Sequence, residues 1–179
     1  MKNLLHKTRT YLVGQMQYMD GSSWREKVSK SLSEIGVTIF NPYNHPFVNS
    51  SKEDNDARQK LNQLIKDKNY DEVTEVVKKI RAEDLRCVDL CDFVFCYINP
   101  KYNTCGTWEE IFWANRMKKP IFLCIEGGKD VCPLWMYGVL PHKYIYSSID
   151  DALTVIHDIN SGKKAIDSDR WRLLREEIR

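Results

Sequence analysis

Residues 93–98 of the chain are FVFCYI, and a polar loop at 99–106 leads from them into a segment with helical character at 107–117. Six apolar or aromatic residues in a row, without alternation, predict a strand that is covered on both faces, as in a parallel sheet. Another apolar run, at 120–125, follows the helical segment. The order of strand, helix and strand predicts a β-α-β unit in which residues 93–98 form a central strand.

The segments on either side continue this alternation. On the N-terminal side, the β-rich run 10–14 precedes a segment at about 22–35 in which apolar residues recur at the three- and four-residue spacing of a helix. Four further elements are predicted, namely strands at 37–40 and 143–146 and helices at 149–160 and 168–179. The sequence therefore predicts an α/β fold with a doubly wound, Rossmann-like parallel sheet of about five strands and helices on both faces.

A strongly charged stretch at about 49–90 carries apolar residues spaced for one or two amphipathic helices. We expect one domain over residues 1–179, with this stretch as a helical insertion. Ligands of doubly wound sheets bind outside the carboxyl ends of the strands. The loops expected to carry function are therefore 14–23, 41–50, 99–107 and 126–137.

The charge of the chain is nearly balanced, because 27 Lys and Arg against 25 Asp and Glu give a net charge of +2. This balance argues against a protein whose main task is to bind nucleic acid. No apolar run approaches the roughly 20 residues that span a bilayer, and the first residues lack the apolar core of a secretory signal. We expect a cytoplasmic protein with no nucleic-acid or membrane partner.

Six cysteines and four histidines raise the question of disulfides or a metal site. Disulfides are not expected without export, and neither C-x-x-C pairs nor clustered histidines are present. Cys87, Cys96 and Cys124 lie in or beside apolar runs and are interpreted as small buried hydrophobic residues. We expect neither a metal nor another cofactor.

The loop after the first predicted strand begins at Gly14 and ends at Ser22 and Ser23. It has neither the glycine pattern of a dinucleotide site nor the Gly-Lys-Ser/Thr ending of a P-loop. Gly14 permits close approach to the backbone, while Gln15 and the two serines suit sugar hydroxyls or one phosphate at a helix N-terminus. The alternative is an ordinary turn in which Ser22 or Ser23 caps the helix.

The loop after the central strand ends in two adjacent glutamates, Glu109 and Glu110. One interpretation is structural, since Thr107 and Glu110 have the spacing of a helix capping box. The catalytic interpretation makes one carboxylate a nucleophile for an electrophilic sugar carbon, kept ionised by the helix N-terminus. Cys105 is another candidate nucleophile, because a helix N-terminus favours the thiolate, although no histidine lies near it in the sequence.

The most specific motif is Gly106-Thr107-x-x-Glu110-x-x-x-Ala114, which is followed by Lys119-Pro120. Four shorter motifs accompany it: Tyr11-Leu12-Val13-Gly14, Trp24-Arg25, Phe40-Asn41-Pro42 and Cys91-Asp92-Phe93-Val94-Phe95. Together these motifs, over roughly residues 10–146, resemble the nucleoside 2-deoxyribosyltransferase superfamily. Its members include transferases that move deoxyribose between bases and hydrolases that cut the N-glycosidic bond of nucleoside monophosphates.

The resemblance implies a retaining double displacement in which Glu110, rather than Glu109, attacks the anomeric carbon and forms a covalent sugar ester. It makes Asn103 and Asp92 candidates for contacting base or sugar, although Asp92 could also merely cap the start of the strand. The expected substrate-binding residues are Gly14, Gln15, Met16, Tyr18, Ser22, Ser23, Gly106 and Trp108. Of these, Trp108 would stack on a base, unless it belongs to the core.

Two positions depart from the superfamily pattern. Phe112 stands where many transferases have glycine, and Asn103 stands where an aspartate helps to protonate or orient the leaving base. The acceptor, water or a second base, and the need for a 5′-phosphate are therefore left open. A non-catalytic nucleotide sensor and an NAD-type glycohydrolase remain alternatives. The resemblance also implies a homodimer or larger homo-oligomer, since its members complete their sites at subunit contacts.

Overall fold

One five-stranded parallel sheet organises the chain, and its strand order is β2-β1-β3-β4-β5. The computed structural model describes residues 2–16, 22–43, 55–165, 169–171 and 174. Within them the strands are β1 (Arg9–Gly14), β2 (Thr38–Phe40), β3 (Phe93–Ile98), β4 (Ile121–Ile125) and β5 (Ile145–Tyr146). The helices are α1 (Ser23–Ser33), α2 (Asn55–Lys66), α3 (Tyr70–Leu90), α4 (Cys105–Arg116), α5 (Leu134–Val139) and α6 (Ile149–Asn160).

The predicted doubly wound α/β fold is confirmed, with β3 in the middle of the sheet. The structure differs from the prediction in two of its helices. α4 begins two residues earlier than predicted, at Cys105, and the short α5 falls in what the sequence indicated as a loop. Most of the helix predicted at 168–179 and most of the loop at 41–50 lie outside the described residues.

Alternating side chains of the strands divide the core into two layers. Leu12 and Phe95 point to the face covered by α1 and α6, whereas Tyr11, Val13 and Cys96 point to the face covered by α3 and α4. The sheet is apolar on both faces because the crossover helices cover both of them. Tyr11 is consequently fixed beneath α3 and α4, with 1% of its surface exposed.

The strand order reverses direction between β1 and β3, because the chain leaves β1 toward β2 and leaves β3 toward β4. A crevice forms at such a switch point, outside the carboxyl ends of the two strands. Gly14, the last residue of β1, pairs with Tyr97 there. A β-carbon on Gly14 would lie 2.5 Å from the Tyr97 carbonyl oxygen, which explains why this position requires glycine.

The charged insertion forms two helices, α2 and α3, as the sequence indicated. The carboxyl half of α3 packs on the sheet through Cys87 and Val88, while Val76 and Val77 in its amino half are exposed. Among the helices of the described residues, none is both long and apolar enough to cross a membrane.

Candidate active site

Glu110 lies on the buried face of α4, together with Thr107, Ile111 and Ala114. Only 8% of the residue's surface is exposed, and its Oε1 lies 2.9 Å from the phenolic oxygen of Tyr11. The capping-box interpretation is wrong at this position. Because α4 begins at Cys105, with Thr104 as its N-cap, Thr107 already lies inside the helix and Glu110 faces the sheet.

A second carboxylate, on another helix of the same layer, contacts the same phenol. Asp84, on α3, places Oδ1 2.8 Å from the Tyr11 hydroxyl. Burial, followed by the neighbouring charges of Glu110 and Asp84, raises the pKa of Tyr11 well above its ordinary value. The phenol therefore stays protonated and links two carboxylates that come from different helices.

A polar cavity of about 270 Å³ opens at the sheet's switch point, in contact with this group. Its walls come from four parts of the chain: β1 with the residues that follow it, the segment after β2, the two insertion helices, and the start of α4 with the loop before it. The described lining residues are Tyr11, Gly14, Gln15, Met16, Pro42, Arg58, Asp84, Asn103, Thr104, Cys105, Gly106, Thr107 and Glu110. Of the predicted site residues, Gly14, Gln15, Met16, Asn103, Gly106 and Glu110 are thus brought together.

The loop after β1 is held in place by Arg25, which is fully buried. Its guanidinium donates hydrogen bonds to the carbonyl oxygens of Gly14, at 2.8 Å, and Gln15, at 3.2 Å. The same group stacks over the Trp24 ring, 4.4 Å from the ring centroid. The Trp24-Arg25 motif therefore fixes the backbone of Gly14 and Gln15, which form part of the cavity wall.

Two buried polar atoms beside the cavity have no hydrogen-bond partner. They are Oε1 of Gln15 and Oγ1 of Thr104, and each residue is 7% exposed. A buried oxygen left unpaired costs roughly 1–3 kcal/mol. Unpaired groups that line a cavity are suited to a ligand that supplies the missing hydrogen bonds.

A second cavity, of about 420 Å³, adjoins the first on the side of α3. Asp84, Cys105, Gly106 and Glu110 line both cavities. The further walls are mainly apolar and consist of Val77, Ile80 and Leu85, with Arg81 and Glu109 at the side. Asp84 and Glu110 therefore lie at the boundary between the polar first cavity and the mainly apolar second cavity.

Glu109 makes a different contact from its neighbour. Its carboxylate accepts a hydrogen bond of 2.8 Å from the Arg81 Nε of α3, and this bond lowers the pKa of Glu109. Successive residues of a helix point about 100° apart, so only one of the adjacent glutamates reaches Tyr11. The structure gives that position to Glu110.

Two of the predicted site residues lie away from the cavity. Asp92 precedes β3 at the amino end of the sheet, where its carboxylate accepts a hydrogen bond of 2.7 Å from the Arg9 backbone. The expectation that it contacts base or sugar is thus corrected, since parallel strands carry their amino ends to the opposite edge. Trp108 packs on the core beneath α4, with its ring 6.5 Å from that of Phe112.

The predicted serine pair also stands apart from the described cavity walls. Ser22 and Ser23 are exposed at the start of α1, and Ser22, the N-cap, makes no side-chain capping hydrogen bond. Tyr18, expected on the sugar side, lies outside the described residues.

Sequence reasoning missed Tyr11, Asp84, Arg58 and Thr104 as lining residues. Asp84 had a detectable signal, because it interrupts the apolar stripe of α3 that runs through Ile80, Cys87 and Val88. A carboxylate in a buried stripe is costly unless it is paired or functional. The stretch around Asn103 contains no acidic residue, but the insertion supplies one to the same cavity.

Potential metal ligands and cysteines occur around the site. No three His, Cys, Asp or Glu side chains among the described residues are grouped to hold a metal ion. Cys105 is exposed and lines both cavities, and the described lining residues include no histidine to activate it. Burial raises the pKa of the nearby Cys87 thiol to about 12, which keeps that sulfur neutral.

A parallel sheet with a polar cavity at its switch point and a buried glutamate facing it defines an α/β protein built to act on a small molecule. A family model described as "Nucleoside 2-deoxyribosyltransferase like" matches residues 7–128, more than half of the chain. The chain belongs to this enzyme family, and the resemblance found in its motifs is confirmed.

A solved structure supports the fold. It is reported for a 2-deoxyribosyltransferase from the psychrotolerant bacterium Bacillus psychrosaccharolyticus, with 18% sequence identity and a TM-score of 0.51. The match covers 74% of this chain and 82% of that chain. No curated protein matches the sequence.

Proposed function

We propose that this protein is an N-glycosidic-bond enzyme that cleaves or transfers the sugar of a (deoxy)nucleoside or nucleoside 5′-monophosphate. The observation that carries the proposal is the buried Glu110 carboxylate, which contacts Tyr11 and lines the cavity at the switch point. Family membership supports the substrate class. In this reaction Glu110 attacks the anomeric carbon, and a carbon–oxygen ester bond forms as the carbon–nitrogen bond breaks.

The separation of the two carboxylates supports a retaining reaction. The oxygens of Glu110 and Asp84 lie 2.9 and 2.8 Å from one phenolic oxygen. They are therefore less than about 6 Å apart, in the range of retaining rather than inverting glycosidases. The negative charge of Glu110 stabilises the cationic, oxocarbenium-like sugar before the ester forms.

Asp84 is the proposed proton donor to the leaving base. The Tyr11 hydroxyl has one hydrogen, so it donates to one carboxylate at a time. The other short oxygen–oxygen contact is satisfied when that carboxylate carries a proton of its own. A protonated Asp84 meets this condition, leaves Glu110 ionised as the nucleophile, and gives its proton to the base nitrogen as the glycosidic bond breaks.

The apolar cavity beside α3 suits the planar base, because Val77, Ile80 and Leu85 form its walls next to Asp84. Water, or a second base in the same place, then attacks the anomeric carbon, returns a proton to Asp84 and releases Glu110. Hydrolysis and transfer share every earlier step. The ratio of free sugar to exchanged nucleoside measures which acceptor the site prefers.

The test is a panel of ribo- and deoxyribonucleosides and their 5′-monophosphates, each incubated with and without an acceptor base. We expect chromatography to show release of free base, and mass spectrometry of a rapidly quenched sample to show one sugar attached to the peptide that contains Glu110. Base release without any labelled peptide would contradict the covalent step. No release from any member of the panel would contradict the function.

We also expect a homodimer or a larger homo-oligomer in the cytoplasm. Val76 and Val77 of α3 are exposed beside the apolar cavity, and exposed apolar groups of this kind are typical of subunit contacts. Light scattering at micromolar concentration tests the assembly. A fully active species with the mass of one chain would contradict it.

A further inference from the structure

Cys105 differs in exposure from the other cysteines of the chain. Its side chain is exposed, whereas the other five are buried, namely Cys87, Cys91, Cys96, Cys124 and Cys132. Burial raises the pKa of each of these five thiols. Exchange between a thiol and a disulfide requires that the two sulfurs meet, so it depends on access. A dissolved disulfide is therefore expected to react at Cys105 before it reacts at any other cysteine.

The exposed thiol belongs to the candidate active site. Cys105 is the first residue of α4. It lines both the polar and the apolar cavity, as Asp84 and Glu110 do. At a rise of about 1.5 Å per residue, Cys105 lies about 7.5 Å along the helix axis from Glu110. A group attached to its sulfur can therefore reach the space beside the proposed nucleophile.

The two cavities have room for such a group. Their volumes are about 270 and 420 Å³, which is of the order of sites that hold small molecules. Gly106, next to Cys105, also lines both cavities, and a β-carbon on it would meet no atom within 4 Å. A substituent on the sulfur thus meets open space where the two cavities adjoin.

A buried amide oxygen in another wall of the polar cavity indicates a bound group. Gln15, which follows β1, is 7% exposed, and its Oε1 has no hydrogen-bond partner. Gln15 and Cys105 come from different segments and line the same cavity. A buried acceptor is normally paired. A group with N–H donors, held at Cys105, would supply the missing hydrogen bond.

We propose that Cys105 is a regulatory modification site, at which a small peptide thiol, supplied as its disulfide, forms a reversible mixed disulfide that closes the active site. The Cys105 sulfur bonds to one sulfur of the incoming disulfide as the bond between its two sulfurs breaks, and the Cys105 proton leaves with the departing thiol. The exchange needs no further oxidant. A peptide N–H of the adduct donates to Gln15, so the adduct excludes the sugar from the same place. The resulting loss of activity rests on the proposed function.

Mass spectrometry of the native protein treated with glutathione disulfide tests the site. We expect one glutathione per chain, attached to the peptide that contains Cys105 and removed by dithiothreitol. Cys105→Ser should stay unlabelled. Cys132→Ser, the matched control at a buried thiol, should be labelled as the wild type is. Labelling of several cysteines, or none at Cys105, would overturn the inference.

The equilibrium constant of the exchange shows whether the attached group occupies the cavity. Gln15→Leu should lower this constant about fivefold, because one hydrogen bond to the adduct is lost. Gln63→Leu, which removes an exposed amide from α2, is the matched control and should leave the constant unchanged. Equal constants for Gln15→Leu and the wild type would place the adduct outside the cavity and contradict the proposed closure.

Base release from the nucleoside panel, assayed without reductant, tests the regulation. Full labelling should lower kcat/KM about tenfold or more in the wild type and in Cys132→Ser, because substrate is excluded. The same treatment should leave Cys105→Ser at its own untreated value. Full activity of the labelled wild type would overturn the regulation and leave the proposed function intact. Selective, Gln15-dependent labelling of a protein that cleaves no nucleoside would uphold the modification site and overturn the enzyme proposal.

Discussion

Polar side chains make different contacts at the two edges of the sheet. At the amino edge, Asp92 is bonded to the Arg9 backbone and side chain, and Lys119 donates to the carbonyl oxygens of Asp89 and Cys91. These groups satisfy one another, and they line neither of the two cavities described above. They are suited to holding the strand ends together.

The carboxyl edge gathers polar groups around a cavity, and some of them have no hydrogen-bond partner. Two carboxylates share one hydroxyl, that of Tyr11, and oxygens of Gln15 and Thr104 are buried without a partner. Such an arrangement costs stability, and its natural explanation is a ligand that completes it. Position and contacts, rather than residue type, therefore distinguish Asp92, which binds Arg9 at the amino edge, from Asp84, which contacts the Tyr11 hydroxyl beside the cavity.

The largest expected effect is at Glu110. Glu110→Gln should fold normally and lower turnover at least about a thousandfold, because removing a covalent nucleophile costs several kcal/mol of transition-state stabilisation. Glu109→Gln is the matched control on the next residue and should lower turnover less than about threefold. Steady-state kinetics with melting curves test both. A large loss at 109 with little at 110 would show that the nucleophile was assigned to the wrong glutamate.

Asp84→Asn should lower cleavage of ordinary nucleosides about a hundredfold, the lower end of what a general acid contributes. A nitrophenyl glycoside of the same sugar tests the role, because its leaving group departs without a proton. We expect this substrate to retain most of its rate in the variant. An equal loss with both leaving groups would assign Asp84 to positioning alone.

Tyr11→Phe should reduce kcat about tenfold while KM changes little, since the hydroxyl contacts the two carboxylates and loses a hydrogen bond to a charged group. Tyr146→Phe is a suitable control. It removes another buried phenolic oxygen, one without a partner, on the opposite face of the sheet. Equal activities of the two variants would separate Tyr11 from the reaction.

Asp92→Asn should have the smallest effect on catalysis and a measurable effect on stability. It weakens the bonds to Arg9, a half-exposed pair, which corresponds to about 1 kcal/mol and a melting temperature lower by roughly 2–4 °C. kcat/KM should stay within twofold of the wild-type value. A loss of activity larger than that of Tyr11→Phe would remove the distinction between the two edges.

The fold was predictable from short-range patterns of apolar residues in the sequence. Continuous apolar runs predicted the central strands, and helical spacing predicted α1 and α6. A strand buried on both faces is apolar throughout, and a helix buried on one face has apolar residues at three- and four-residue spacing, so both patterns are visible in the neighbouring sequence. The start of α4 was missed by two residues. Thr107 and Glu110 fit a capping box, and nothing local reveals that the helix already begins at Cys105.

The sequence indicated cavity-lining residues where neighbouring positions supply them, namely Gly14 and Gln15 at the end of β1, and Asn103 and Glu110 after β3. It did not indicate the lining residues that distant segments bring together. Asp84 is 26 positions from Glu110 and on another helix, and Arg58 is farther still. A sequence pattern reports the face of a helix, but it does not report which face of a neighbouring element the helix will meet.

The sequence by itself determined the order of the main strands and helices and the family, and it indicated Glu110 as the candidate nucleophile, because each depends on residue types at fixed short spacings. The tertiary structure alone decided which carboxylate joins that glutamate. Packing α3 and α4 over one face of the sheet brings Asp84 and Glu110 to the Tyr11 hydroxyl and leaves Asp92 at the other edge. Contacts between distant segments depend on how the helices pack on the sheet. The residues that determine this packing are distributed over the whole core.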